Sequence, residues 1–232
     1  MGSEEIVRNI ERVRERIAQA ASRTGRSPDT VRLIAVTKTV DVMQIASAYQ
    51  AGIRDFGENY LQEAVAKIGA DPLDLPDIRW HFIGHLQTNK VKETWGRFAL
   101  LQSVDSLRLA QEIGKQAQVR GRIADILMEV KLDSGAAKFG IPPEAALDTA
   151  ALFALIPGIR LCGLMGMAPF SPRPEDARPA FRKLYTLFSQ LPPEARQTLS
   201  MGMTGDFEVA IEEGATMVRL GTALFGNRPQ QA

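Results

Sequence analysis

Apolar residues come in short runs along this chain, and between the runs they recur at helical spacing. The runs at 33–37, 54–58, 79–83, 99–104, 125–132, 160–167, 197–201 and 216–220 read as strands, each bounded by turn residues. Several, such as "LIAVT" and "DILMEVKL", are nearly all apolar rather than alternating, as strands covered on both faces are. The stretches between them carry one apolar face, as in "VMQIASAYQAG", "LRLAQEIGKQAQ" and "PEDARPAFRKLYTLFSQL". Two connections, "QTNKVKETWG" and "DFEVAIEEG", are short. Ahead of the first strand, 4–21 forms a charged helix with Ile6, Ile10, Val13 and Ile17 on one side.

Eight strands alternating with helices is the count of an α/β protein of the (β/α)₈ TIM-barrel type, here with an extra N-terminal helix. A doubly wound open sheet is the competing architecture, because periodicity does not show whether the sheet closes. No Pro/Gly/Ser-rich linker divides the chain, so 1–232 is expected to be a single domain. A barrel places its chemistry on the loops that follow the strands.

Composition narrows the function classes. With 232 residues, 45% hydrophobic, the chain can bury a large core without staples. The net charge of +1 gives no broad argument for nucleic acid. The single cysteine, Cys162, excludes an intramolecular disulfide, and with only two histidines, His81 and His85, a structural zinc site is not expected. The longest apolar region, around 152–170, is broken by Pro157, Arg160 and glycines, and no targeting segment shows. The expectation is a cytoplasmic protein that does not enter membranes.

The strand ends carry the candidate chemistry. Strand 1 runs into Lys38, whose ammonium is costly to bury unless paired or neutralised; it either reaches out to solvent or has chemical work. Strand 2 ends in Gly57-Glu58-Asn59, where Asn59 either faces a ligand or caps the next helix. After strands 7 and 8, "SMGMTGD" and "RLGT" supply Ser200, Gly202, Thr204, Gly205, Gly221 and Thr222, small and hydroxyl residues where barrels often bind phosphate. Those glycines could equally do no more than make turns. Arg219 stands within apolar strand 8 and needs an acceptor, either a ligand or a buried carboxylate.

Taken together, "AVTK", "FGENYLQE", "WHFIGHLQTNK", "LMGMA" and "LSMGMTGDFEVAIEEGATMVRLGTALFG" resemble the pyridoxal-phosphate homeostasis protein family over about 33–226. The resemblance implies the barrel of alanine racemases and of the N-terminal part of eukaryotic ornithine decarboxylases. It implies that Lys38 holds pyridoxal 5′-phosphate (PLP) as a Schiff base. Ser200, Gly221 and Thr222 would hold the phosphate, and Gly202 would allow close approach. Arg219 would face the pyridine nitrogen, with Asn59 near the ring's polar edge and Met167 packed beside it. An arginine there disfavours a pyridinium and leaves the ring a weak electron sink.

The family implies a non-enzymatic role in PLP, vitamin B6 and amino-acid homeostasis, with release of PLP by transimination. Alanine racemases add a second acid/base, a tyrosine from a C-terminal β-domain, which is not expected in this chain. The expected state is a monomer, with PLP-requiring apoenzymes or a regulatory protein as candidate partners. The competing readings are a weak or specialised amino-acid racemase, a module whose partner reads PLP occupancy and, more distantly, a Schiff-base aldolase using Lys38 alone. Lys138, in "SGAAKFG", resembles a family lysine proposed to assist transfer. Its loop lacks the asparagine and glutamate common in the family, whereas Thr37 and Thr204 replace serines and keep the hydroxyl.

Overall fold

The computed structural model describes residues 1–68, 75–133 and 139–226. Its eight parallel strands are β1 Arg32–Val36, β2 Asp55–Glu58, β3 Arg79–Phe82, β4 Leu100–Val104, β5 Ala124–Val130, β6 Ile159–Gly166, β7 Thr198–Ser200 and β8 Met217–Leu220. They pair in chain order, and β8 returns to β1 with Ile34 opposite Arg219, so the sheet closes. The open-sheet alternative is excluded. Each strand lies within about two residues of its sequence-read limits.

The helices are α1 Ser3–Arg23, α2 Val42–Gln50, α3 Leu61–Ile68, α4 Leu107–Val119, α5 Ala146–Ala154, α6 Arg178–Ser189, α7 Phe207–Glu212 and α8 Thr222–Phe225. The short third connection is a 3₁₀ segment, Thr88–Thr94. Helix α8 is a single turn, too short to cover the seam between β8 and β1. Helix α1 does so instead, packing against α2, α7 and α8 through Ile6, Ile10, Val13 and Ile17. The helix read from sequence as an addition is therefore a member of the outer ring.

Two apolar layers result. One lies between strands and helices and holds most of the large side chains, including Phe56, Phe153, Phe181 and Phe207. The other is a small plug inside the barrel, built from Ile34, Leu100, Leu127, Cys162, Met165 and Met217. Because side chains alternate along a strand, Arg219 points inward with Met217, its neighbour two positions earlier.

A line of polar groups crosses this plug. Arg219 donates through Nη1 to the Ser200 hydroxyl (2.6 Å) and through Nη2 to the Gly166 carbonyl (3.1 Å). Ser200 donates to Gln102 Oε1 (2.6 Å), and Gln102 Nε2 reaches His81 Nδ1 (3.1 Å). His81 Nε2 meets Asp55 Oδ1 (2.9 Å), and Arg79 binds both oxygens of Asp55 at 2.8 and 2.6 Å. Burial lowers the His81 imidazole despite the pull of Asp55, so the ring is neutral and its proton sits on Nε2, facing the carboxylate. Burial tends to raise Asp55, but the bonds from His81 and Arg79 outweigh it and bring the carboxyl to about 2. From Arg219 through Ser200, Gln102 and His81 the donors run in one direction, ending on Asp55, while Arg219 Nη2 branches off to Gly166.

Two expected outcomes follow from this packing. Ile10 is fully buried under the ring, so Ile10→Ala should lower unfolding free energy in urea by about 2–5 kcal/mol; a loss below about 0.5 kcal/mol would mean α1 is not part of the core. Glu129 on β5 is pushed up to about 7, first by burial and then by Asp105, with Arg219 opposing. A raised carboxyl costs stability as pH rises from about 4.3, where the unfolded chain ionises, to about 7. Glu129→Gln should therefore gain on the wild type across that window, with a slope approaching about 1.4 kcal/mol per pH unit. A difference independent of pH would contradict the assignment.

Candidate cofactor site

The C-terminal ends of β1, β2, β6, β7 and β8 open onto one cavity of about 460 Å³, a size suited to a small ligand. Its wall brings together Lys38, Asn59, Met167, Arg219, Gly221 and Thr222, all expected from sequence. Another cavity, of about 290 Å³, lies at the opposite end of the barrel among Trp80, Trp95, Phe98 and Arg122, away from the strand C-termini.

Lys38 stands where β1 gives out. Thr37 extends the strand by donating its amide to the Gly57 carbonyl (2.9 Å), and Lys38 then turns into the cavity wall, half-buried. Asn59 enters the wall from β2. Its position depends on Gly84: a Cβ at that residue would collide with the Asn59 backbone. The Asn59 amide oxygen Oδ1 is buried and has no partner among the described residues. It therefore does not cap α3, and a buried polar atom is left without a partner on a residue that lines the site.

Arg219 forms the inner wall. Burial lowers its guanidinium to about 10, against the pull of Glu129 and Asp206, so it stays cationic near neutrality. No described carboxylate pairs with it directly; its side-chain acceptors are Ser200 and Gly166. The buried ion pair weighed as the alternative for Arg219 is absent among the described residues.

One corner of the cavity is made by the loops after β7 and β8. Thr204 Oγ1 accepts from the Ala223 amide (3.3 Å), which ties the two loops together and sets Thr204, Gly205, Gly221 and Thr222 side by side. Arg173 contributes a further cation to the wall. Asp206 also lines it, but its carboxylate accepts from the Met203 amide at 2.6 Å. The mouth is apolar: Met167, Met203 and the almost fully exposed Phe170 surround it.

Two of the residues expected at the cofactor lie outside the cavity wall. Ser200 does not line the cavity; it is fully buried, its proton given to Gln102 and its oxygen taken by Arg219. Gly202 does not line it either. It has φ of 93°, and an added Cβ would lie 2.6 Å from the Ala210 methyl and 2.9 Å from Phe207 Cα. Its lack of a side chain lets α7 pack closely against it. Lys138 lies outside the described residues.

Sequence reading also missed a charged group behind Lys38. Lys67 on α3 is buried and donates to the Thr37 carbonyl (2.5 Å), Glu58 Oε1 (2.8 Å) and Glu63 Oε1 (2.6 Å). The Thr37 hydroxyl also donates to Glu58 (2.6 Å), and Glu63 accepts from the Thr39 amide (2.5 Å). Burial raises the Glu58 carboxyl, although Lys67 and Thr37 oppose it. The available signal was the i,i+4 spacing of Glu63 and Lys67, which normally marks a solvated helix face.

An amine, a fixed guanidinium, an unpartnered amide oxygen and a corner of hydroxyls and glycines suit a flat polar ligand carrying a carbonyl and an anionic group. Among the described residues no group of His, Cys, Asp and Glu could hold a metal ion, and no described helix is long and apolar enough to cross a membrane.

Residues 8–229 match the family model of the alanine racemase N-terminal domain. The chain is 44% identical over 222 residues to the pyridoxal phosphate homeostasis protein of Aquifex aeolicus, covering 94% of this chain and 96% of that one. It is 42% identical to the protein of the same name from Pseudomonas aeruginosa, with 96% of each covered. PipY of Synechococcus elongatus, whose structure was solved with PLP bound, superposes with a TM-score of 0.78 at 38% identity, covering 90% of this chain and all of that one. The chain therefore belongs to the alanine racemase N-terminal domain family and, within it, to the pyridoxal phosphate homeostasis proteins.

Proposed function

We propose that this chain binds PLP through Lys38 and serves PLP homeostasis without a dedicated substrate. The observation that carries this reading is the convergence of Lys38, Arg219 and the Thr204–Thr222 corner on one cavity. Its relative PipY is a PLP-binding protein by its solved structure. The residues present fit the group. The Lys38 amine takes the aldehyde with loss of water, so no ammonium need be carried in the wall. Thr204, Thr222 and the backbone at Gly205 and Gly221 take the phosphate. Asn59, with its unpartnered oxygen, faces the ring's polar edge.

PLP supplies an aldehyde and an electron-poor ring to whatever site holds it. Arg219 decides how far the ring can act. Still protonated near neutrality, it would hold the pyridine nitrogen as a donor and so disfavour its protonation, which would weaken the electron sink. No tyrosine lines the cavity among the described residues; the Tyr49 hydroxyl is bonded to the Pro76 carbonyl at 2.6 Å. Both points favour a holder of PLP over a racemase. The lone cysteine, buried and free, fits the reducing interior of a cell.

Titration of the purified chain with PLP should produce a visible absorption band that Lys38→Ala abolishes. A wild type without the band after incubation would end the reading. Thr204→Val combined with Thr222→Val should weaken PLP by about tenfold or more while changing pyridoxal, which lacks the phosphate, much less. Equal losses for both ligands would move the phosphate away from this corner.

A further inference from the structure

The residues on either side of Lys38 are held in an unusual way. Thr39 has φ of 58°, a left-handed conformation that is strained for a β-branched residue, and the only other described non-glycine residue with positive φ is Asp77. Such a conformation persists only where its surroundings impose it. The Val40 amide closes a turn onto the Thr37 carbonyl (2.9 Å), and α3 braces that turn from outside. Glu63 accepts the Thr39 amide at 2.5 Å, and the same oxygen accepts from Lys67 at 2.6 Å. Lys67 in turn holds the Thr37 carbonyl at 2.5 Å, while Glu58 holds the Thr37 hydroxyl at 2.6 Å.

All three protons of the Lys67 ammonium are thus matched to acceptors, and two of those acceptors act directly on the segment that carries Lys38. The main chain is gripped before Lys38 at Thr37 and after it at Thr39. Between the two grips Lys38 lines the cavity wall.

We infer that Glu63 and Lys67 are positioning residues for Lys38: they fix the left-handed turn at Thr39 and so aim the amine into the cavity. The inference deepens the PLP reading and rests on it. The competing account is that the three charges merely pin α3 to the barrel. A clamp and a pin differ in what they do locally. A pin contributes to global stability alone, whereas a clamp also sets the exchange of the Thr39 amide and the reactivity of Lys38.

Lys67→Met is a poor test, because it leaves Glu58 and Glu63 without their cation and is liable to unfold the chain. Glu63 is a quarter exposed and is the better position. Glu63→Ala removes the acceptor for Thr39; Glu63→Gln keeps an amide oxygen there and is the rescue variant. In the ligand-free protein, Glu63→Ala should raise hydrogen exchange at Thr39 by tenfold or more relative to strands β1 and β8. In the PLP-loaded protein it should speed removal of the cofactor by hydroxylamine at least threefold, and Glu63→Gln should restore most of both. A Glu63→Ala protein that melts earlier but keeps wild-type exchange at Thr39 and wild-type hydroxylamine rates would overturn the inference. Should the wild type fail to take PLP, the PLP reading falls. Thr39 exchange and acylation of Lys38 by a neutral ester would then decide the clamp by themselves, with unchanged rates in Glu63→Ala rejecting it.

Discussion

A guanidinium sealed inside a barrel must be given acceptors, and much of this interior is arranged to provide them for Arg219. Among the described residues no carboxylate forms a direct ion pair with it; Glu129 and Asp206 act on it only through their charge. A direct ion pair would neutralise the cation and occupy the donors that the cavity needs. The barrel instead uses neutral acceptors, the Ser200 hydroxyl and the Gly166 carbonyl, and passes polarity on through Gln102 and His81 to Asp55. An amide in the middle of that line makes it an orienting device rather than a proton path, since Gln102 does not readily exchange its protons along the chain. Fully satisfied, such a line rigidifies the core; with one member removed, its neighbours become costly orphans.

The second polar system lies behind Lys38 and works on the main chain. Lys67, Glu58 and Glu63 hold the peptide units on either side of Lys38. The two systems divide the labour. One fixes a permanent cation deep in the wall, and the other fixes the segment that carries a reactive amine at the rim. Between them lies an opening bordered by Met167, Phe170 and Met203, exposed apolar side chains that leave the cavity accessible. An open mouth suits exchange of a held cofactor better than a reaction that must exclude water.

How much of this could be read from the chain follows from the range of each interaction. The strands and their order were legible because the signal is local: apolar runs of the right length, broken by turns. That α1 completes the ring was not, since it depends on α8 being one turn long and on α1 meeting α7 across the fold. Lys38, Arg219, Gly221 and Thr222 were legible as strand-end or strand-interior polar residues in apolar surroundings. The bonds of Ser200 were not legible, because its position at a strand end does not tell which way its hydroxyl points; its acceptor, Gln102, is 98 residues away. Asp55, His81 and Gln102 carried the same signal as Arg219, a polar residue inside a strand, yet only their mutual register shows that they form one line. Glu63 and Lys67 looked like an ordinary helical ion pair until the fold set them against Thr37 and Thr39.

The most direct test of the account is a crystal structure of the chain with PLP. Continuous density should join Lys38 Nζ to the former aldehyde carbon, the Arg219 guanidinium should lie against the pyridine nitrogen, and the phosphate should rest on Thr204, Gly221 and Thr222. Ser200 should still bond Arg219 and Gln102. Density for PLP elsewhere, or a phosphate seated on Ser200 with Arg219 turned to a carboxylate, would contradict the account.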